Sequence, residues 1–216
     1  MEKGATDGAP RAEARAVIWR SSYLSIASAF EQATGAKLCA GLRVMIRVVV
    51  SYHEIYGFSL QIIDLDPSYT LGDVERRRRE TIARLEEEGV WDMQQSLRTP
   101  ILPRRIAVIS SADAAGYGDF QHQLMHNRGA YRFHTQLFPA LMQGEQSPRS
   151  IMQALHTIAE ESEAYDIVAI VRGGGATTDL RNFDDYDLAC HCAQFPLPIV
   201  AGIGHTRDVS VVDMVV

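Results

Sequence analysis

The sequence predicts an α/β protein whose main domain is a parallel sheet of about four strands flanked by helices, preceded by a small barrel or curled sheet. Beyond about residue 100, short apolar runs alternate with amphipathic runs, a pattern typical of a parallel sheet buried on both faces. Before it, GLRVMIRVVVSYHEIYGFSLQIIDLD gives two β-rich runs around a Tyr-Gly turn. Within the first run Val44, Ile46 and Val48 alternate with other residues, as in a strand with one face in a core.

The chain divides into four predicted parts. Residues 1–15, rich in Gly, Ala and charge, are expected to form a flexible arm. Residues 16–68 form the β-rich domain, and 69–99 a solvent-exposed connector helix, which Gly89 ends, with a linker. Prolines in QQSLRTPILPR favour an extended linker and a domain boundary near residue 100, so that 100–216 form the α/β domain.

The elements of the α/β domain follow from this alternation. The predicted strands are RIAVISS, YRFHTQLFPA, YDIVAIVRGGG and PIVAGIGH, and the predicted helices lie near 114–127, 147–162 and 179–194. Because right-handed crossovers bring the ends of parallel strands to one edge, and ligands bind beyond that edge, we expect the site there.

Composition narrows the class of protein. The 216 residues include 46% hydrophobic ones, but no uncharged apolar run is long enough to span a bilayer and the N-terminus lacks a secretory signal. Cys39, Cys190 and Cys192 cannot all pair, so we expect reduced thiols and a cytoplasmic protein without membrane contact. The net charge of −6 argues mildly against coating nucleic acid by bulk attraction, although local arginine clusters remain.

Arg172 and three glycines end the third predicted strand. Glycines let backbone N–H groups approach an anion, and an arginine supplies charge beside them. Glycine runs alone are more often simple turns, but a buried guanidinium without an anionic partner is costly. The candidate phosphate-binding residues are Ser110, Ser111, Gly173, Gly174 and Gly175.

Three other polar residues are predicted at the same edge. His205 follows the fourth strand and begins an apparent helix, TRDVSVVDMVV, in which Asp208 lies three residues on and shares its face. Asp119 lies near the start of the helix after the first strand. Taken singly, each is more often a helix-start residue; their convergence with Arg172 favours a site.

A metal site is not predicted. Cys190, His191 and Cys192 point in different directions on a helix and lack a second ligand pair, which disfavours zinc. We expect no required cofactor, and stimulation by Mg²⁺ stays open.

The motifs VISS...AAGYGD, VRGGGATTDL with Phe183 close behind, and PLPIVAGIGHTRD with Asp213, in this order, resemble the exonuclease VII large subunit. YHEIYGFSLQIIDLDPSYTLGD resembles the end of that family's N-terminal OB-fold, in a form like that of Bacteroidetes sequences. The resemblance covers nearly everything from Ala16 onward. Ala112 and Asp113 stand where the family usually has Pro-Thr, and Thr206 where it often has glutamate.

The resemblance implies an exodeoxyribonuclease that hydrolyses single-stranded DNA to short oligonucleotides, with its best-known members needing no divalent metal. It implies Asp119, Arg172, His205 and Asp208 as catalytic residues, and residues 16–68 as a partial OB-fold that binds nucleic acid. It also implies a small-subunit partner, bound through a C-terminal coiled-coil region absent from this sequence. A fragment of this kind is predicted to be weakly active or inactive alone.

One alternative is a non-catalytic module that binds a phosphate ligand or single-stranded nucleic acid at the same edge. RGGGATTDL has neither the G-x-G-x-x-G spacing of dinucleotide sites nor the Lys-Ser/Thr of a P-loop, which disfavours nucleotide binding.

Overall fold

A computed structural model describes residues 14–34, 37–39, 42–54, 57–173, 177–203 and 209–216. The strands are β1 (Ala16–Val17), β2 (Met45–His53), β3 (Gly57–Asp66), β4 (Arg105–Ser110), β5 (His134–Pro139), β6 (Ile167–Val171) and β7 (Ile199–Gly202). The α-helices are α1 (Arg20–Thr34), α2 (Pro67–Glu87), α3 (Ala115–Met125), α4 (Ser147–Glu160), α5 (Tyr186–Ala193) and α6 (Val211–Val215). Two 3₁₀ helices are Ser162–Ala164 and Thr177–Asp184.

The chain divides into two compact units, Met1–Asp73 and Val74–Val216. In the first, β1, β3 and β2 form a small mixed sheet in that order, with β1 parallel and β2 antiparallel to β3. Phe30 of α1 and Leu65 of β3 are the buried centre of its core. This sheet lies where the partial OB-fold is expected.

The second unit contains a four-stranded, all-parallel sheet in the order β5-β4-β6-β7, which confirms the predicted α/β fold. All five residues of β6 are buried. Residues Tyr117, Phe120 and Leu124 of α3 cover one face of the sheet, while α4, α5 and α6 supply the core on the other. Apolar side chains on both faces explain why the central strands β4 and β6 read as continuous hydrophobic runs, whereas burial alternates along the edge strands β5 and β7.

Two predicted helices start later than expected. The first part of the helix predicted at 179–194 is a 3₁₀ helix, and α5 begins after it, where the Asp185 carboxylate accepts from the Leu188 N–H at 3.0 Å. The helix predicted to begin at His205 begins instead at Val211. Its start is fixed by a capping box in which the Ser210 and Asp213 side chains each bond the other's backbone N–H.

Helix α2 begins at Pro67, because proline is favoured in a first helical turn, and the chain turns away at Gly89 with a φ of +70°. In the segment expected to be an extended linker, Gln94 is buried: its amide donates to the Phe195 carbonyl at 2.9 Å and accepts from the Ile199 N–H at 2.9 Å. The boundary near residue 100 stays a prediction. Among the described residues, no helix is long and apolar enough to cross a membrane.

Candidate active site at the carboxyl edge of the sheet

The carboxyl ends of the four parallel strands lie at one edge of the sheet. Ser110 at the end of β4 pairs with Pro139 of β5, and Val171 at the end of β6 pairs with Gly202 of β7. The crossover helix from β4 packs on one face and the helix between β6 and β7 on the other. The neighbouring strands β4 and β6 therefore flank the point where the winding reverses, which is where open α/β sheets bind ligands.

Arg172 is the first residue beyond β6. Its side chain is buried, with 8% of the residue exposed, and its backbone N–H donates to the carbonyl of Gly202 at 3.0 Å. This bond continues the β6–β7 pairing beyond the last residue of β6. Arg172 therefore leaves the sheet beside the strand that leads into His205.

The start of α3 lies against Arg172 and Gly173. A Cβ on Gly116 would lie 2.5 Å from the Arg172 carbonyl oxygen, and a Cβ on Gly173 would lie 3.0 Å from the Cβ of Ala114. Only glycine allows the helix to approach the strand end this closely. Asp119, which follows Gly116 by three residues on α3, is exposed to solvent near this contact.

Ser110 and Ser111 have different environments. The Ser110 side chain is fully buried, and its hydroxyl donates to the Val171 carbonyl at 2.6 Å, which joins β4 to β6. Ser111 is half-buried, and its carbonyl accepts from the Ala114 N–H at 3.0 Å in the turn that leads to α3. The Ser110 hydroxyl thus donates its hydrogen bond within the sheet, whereas Ser111 lies in the turn beyond it.

Four predicted site residues, Gly174, Gly175, His205 and Asp208, lie outside the described residues. Their roles stay predictions. The described residues next to the His205 segment are firmly placed: Ile203 before it is buried, and the Val209 carbonyl after it accepts from Arg78 at 2.6 Å.

The sequence reasoning missed Asp184, at the end of the second 3₁₀ helix. Its carboxylate accepts from the Val211 N–H at 2.8 Å. Burial raises the pKa of this carboxyl, while the bond from Val211 and the charge of Arg78 oppose the rise. Nothing in the sequence around Asp184 indicates the bond to Val211, because Val211 lies in a different element of the structure.

The cysteines of α5 have separate environments. Burial raises the pKa of the Cys192 thiol to about 12, and the Cys190 sulfur accepts from the Gln194 amide at 2.9 Å. In the part of the chain that the structure describes, no three His, Cys, Asp or Glu side chains are grouped so as to hold a metal ion. Metal independence stays a prediction.

The fold and edge define a doubly wound α/β domain with a buried arginine, glycines and an exposed acid around its switch point. Residues 90–216 match the family described as "Exonuclease VII, large subunit". The chain belongs to the exonuclease VII large subunit family.

Comparison with individual proteins gives the same family. The chain is 36% identical over 219 aligned residues to the exodeoxyribonuclease 7 large subunit of Deinococcus radiodurans, an alignment that covers 99% of this chain and 52% of the relative. It is 40% identical over 132 residues to that of a Nostoc species, covering 61% of this chain and 31% of the relative. The chain thus spans about half the length of the Deinococcus protein, and its alignment with the Nostoc protein spans about a third of that protein. The narrower expectation of a Bacteroidetes-like sequence is not supported.

Proposed function

We propose that this chain provides the active site of an exodeoxyribonuclease that hydrolyses the phosphodiester bonds of single-stranded DNA to short oligonucleotides. The observation that carries the proposal is the bond from the Arg172 N–H to the Gly202 carbonyl, at 3.0 Å. It brings the backbone of Arg172 beside β7, the strand that precedes His205 in the chain, at the carboxyl edge of the sheet. The buried side chain of Arg172 carries a guanidinium, which suits a phosphate better than a neutral ligand because it offers several fixed donors and a permanent charge.

In the proposed reaction, Arg172 and the backbone N–H groups of the glycine segment stabilise the charge that develops on the phosphoryl oxygens. His205 acts as general acid or base. Asp208 or Asp119 sets the tautomer of its imidazole or positions the attacking water. An arginine in this role supplies the electrostatic stabilisation that a metal gives in other nucleases, so we propose that Mg²⁺ stimulates the reaction at most.

The N-terminal sheet has a feature suited to unpaired bases. Tyr52 and Phe58 are cross-strand neighbours on β2 and β3, their ring centroids lie 5.2 Å apart, and they are 65% and 76% exposed. Exposed aromatic rings on a sheet stack on bases of single strands with little sequence preference. This pair supports a DNA-binding role for residues 16–68.

We further propose the family's small subunit as the partner of this chain. We also propose the cytoplasm as its location, because free thiols are stable there.

The test is cleavage of end-labelled single-stranded DNA with and without chelator. It uses this chain and, in parallel, the complete large subunit assembled with its small subunit. Arg172→Ala and His205→Ala should each lower the rate by at least about a hundredfold with unchanged folding. Arg79→Ala and His122→Ala are matched controls on exposed helix positions and should cleave normally.

Each outcome separates the alternatives. Short oligonucleotides under chelator from the assembled wild type, lost in both site variants, support the proposal. Binding of DNA without products in either preparation identifies a non-catalytic binding module instead. Near-normal cleavage by either site variant removes that residue from the mechanism.

A further inference from the structure

We infer that Asp184 and Arg78 are positioning residues, which hold the chain segment that follows His205 and Asp208 in the place that cleavage requires. This inference rests on the proposed function. Neither residue belongs to the motifs that carried the family resemblance, and neither follows a strand of the parallel sheet. Their role emerges only from contacts between elements far apart in the chain.

Three successive residues after Asp208 are each anchored. The Val209 carbonyl accepts from Arg78 at 2.6 Å, and the Val211 N–H donates to the Asp184 carboxylate at 2.8 Å. Between them, the Ser210 N–H donates to the Asp213 carboxylate at 2.9 Å. Ser210 and Val211 are buried, so lost partners here are not simply replaced by water.

The anchors come from two other elements that are themselves joined. Arg78 and Thr81 lie three residues apart on α2, and therefore on one side of that helix. The Thr81 hydroxyl donates to the backbone carbonyl of Asp184 at 3.3 Å, while Arg78 also lies 3.3 Å from the Met214 sulfur. Helix α2, the 3₁₀ helix and α6 thus meet in one polar junction.

The junction begins one residue after Asp208. Val209 is joined to Asp208 by one peptide bond, so a displacement of Val209 is transmitted directly to its neighbour in the chain. On the other side, Ile203 is buried, and the Gly202 carbonyl before it accepts from Arg172. Catalysis is sensitive to displacements of about 1 Å, so loosening this end of the segment should lower the rate of the chemical step more than substrate binding.

The substitutions exploit the difference between bonding and charge. Asp184→Asn keeps an oxygen that can accept from the Val211 N–H, whereas Asp184→Ala removes it. Arg78→Ala is a second, independent variant on a half-buried residue. Arg79→Ala is the matched control, because Arg79 is the next residue of α2 and pairs with Glu75 on the exposed surface.

The variants are compared in the assembled large and small subunits by steady-state cleavage and by amide hydrogen exchange of the peptide 199–216. Asp184→Ala and Arg78→Ala should lower kcat about tenfold or more, change KM by less than about threefold, and speed exchange at residues 209–213 about tenfold. Asp184→Asn and Arg79→Ala should remain within about threefold of wild type in kcat and exchange.

The results also separate this inference from the proposed function. If His205→Ala abolishes cleavage but both Asp184→Ala and Arg78→Ala cleave normally, the inference is wrong and the proposed function stands. If Asp184→Asn loses as much activity as Asp184→Ala, the charge of Asp184 matters rather than its bond, and positioning is refuted. If His205→Ala cleaves normally, His205 is not part of the mechanism and the positioning role fails with it, while the nuclease activity stands. If the assembled wild type binds DNA without forming products, the proposed function itself fails.

Discussion

Two glycines of α3, Gly116 and Gly118, provide a matched pair of substitutions that tests the contact beneath the candidate site. A Cβ on Gly116 would lie 2.5 Å from the Arg172 carbonyl oxygen and 2.9 Å from the Gly173 Cα, whereas a Cβ on Gly118 would meet nothing within 4 Å. Both obstacles at Gly116 are backbone atoms, which cannot rotate away as a side chain can. Gly116→Ala must therefore push α3 away from the end of β6.

The magnitudes follow from opposing effects. Alanine in place of glycine within a helix stabilises by about 0.5–1 kcal/mol, and Gly118→Ala should gain most of this. Overpacking against backbone costs about 1–3 kcal/mol, so Gly116→Ala should be destabilised by roughly 1–2 kcal/mol in total. A difference of about 2 kcal/mol between the two variants corresponds to roughly 4–8 °C in Tm for a unit of this size.

The assay is thermal and urea denaturation of both variants beside the wild type. If the reasoning is right, the Tm of Gly118→Ala equals or exceeds that of the wild type and the Tm of Gly116→Ala falls below it. Equal stability of the two variants would show that α3 does not press on Arg172 and Gly173. The close approach of α3, the helix that carries Asp119, to the end of β6 would then lose its support.

Three further predictions concern polar groups that hold the sheet. The Arg105 guanidinium holds the pKa of the Asp166 carboxyl at about 2, below its ordinary 3.8, so this ion pair stabilises fully above the ordinary value and loses its effect as the pH falls toward 2. Asp166→Asn should cost about 1–2 kcal/mol at neutral pH and flatten the acid side of the stability curve; an unchanged slope between about pH 5 and 2 contradicts this. Ser110→Ala should lower the free energy of unfolding in urea by about 1–2 kcal/mol, because it removes the buried bond to Val171, and should leave DNA affinity unchanged, because that bond already occupies the hydroxyl proton; a tenfold weaker affinity would instead support the phosphate-binding role predicted for Ser110 from the sequence. Gln94→Leu should lower the free energy of unfolding by about 2–3 kcal/mol, because it leaves buried backbone groups without partners. A loss below about 0.5 kcal/mol would show that these backbone groups find other partners.

Local sequence patterns predicted the parallel sheet, because strands buried on both faces must be apolar and the central strands β4 and β6 are short apolar runs. The edge strand β5, which begins with His134, Thr135 and Gln136, does not show this pattern. The sequence also indicates the true start of α6, because Ser210 and Asp213 have the spacing of a capping box. The apolar residues after His205 suggested an earlier start, but periodicity does not locate a helix end as well as a cap does. Asp184 could not have been found, since its bond to Val211 joins residues 27 positions apart.

The two glycines of AAGYGD show the same limit more sharply, since they lie in one motif and are equivalent in sequence. Two residues apart on α3, they lie on different sides of the helix, and the order of the strands decides which side meets a strand end. Because β6 lies next to β4, the helix that leaves β4 starts beside the end of β6 and Gly116 meets Arg172. That order also sets the switch point between β4 and β6, and with it the place of the candidate site. Local patterns specify strands and helices but not which strands become neighbours, because neighbours are chosen by packing across the whole sheet. Motif residues can therefore be proposed from sequence, while the contacts that would make them a site depend on the topology.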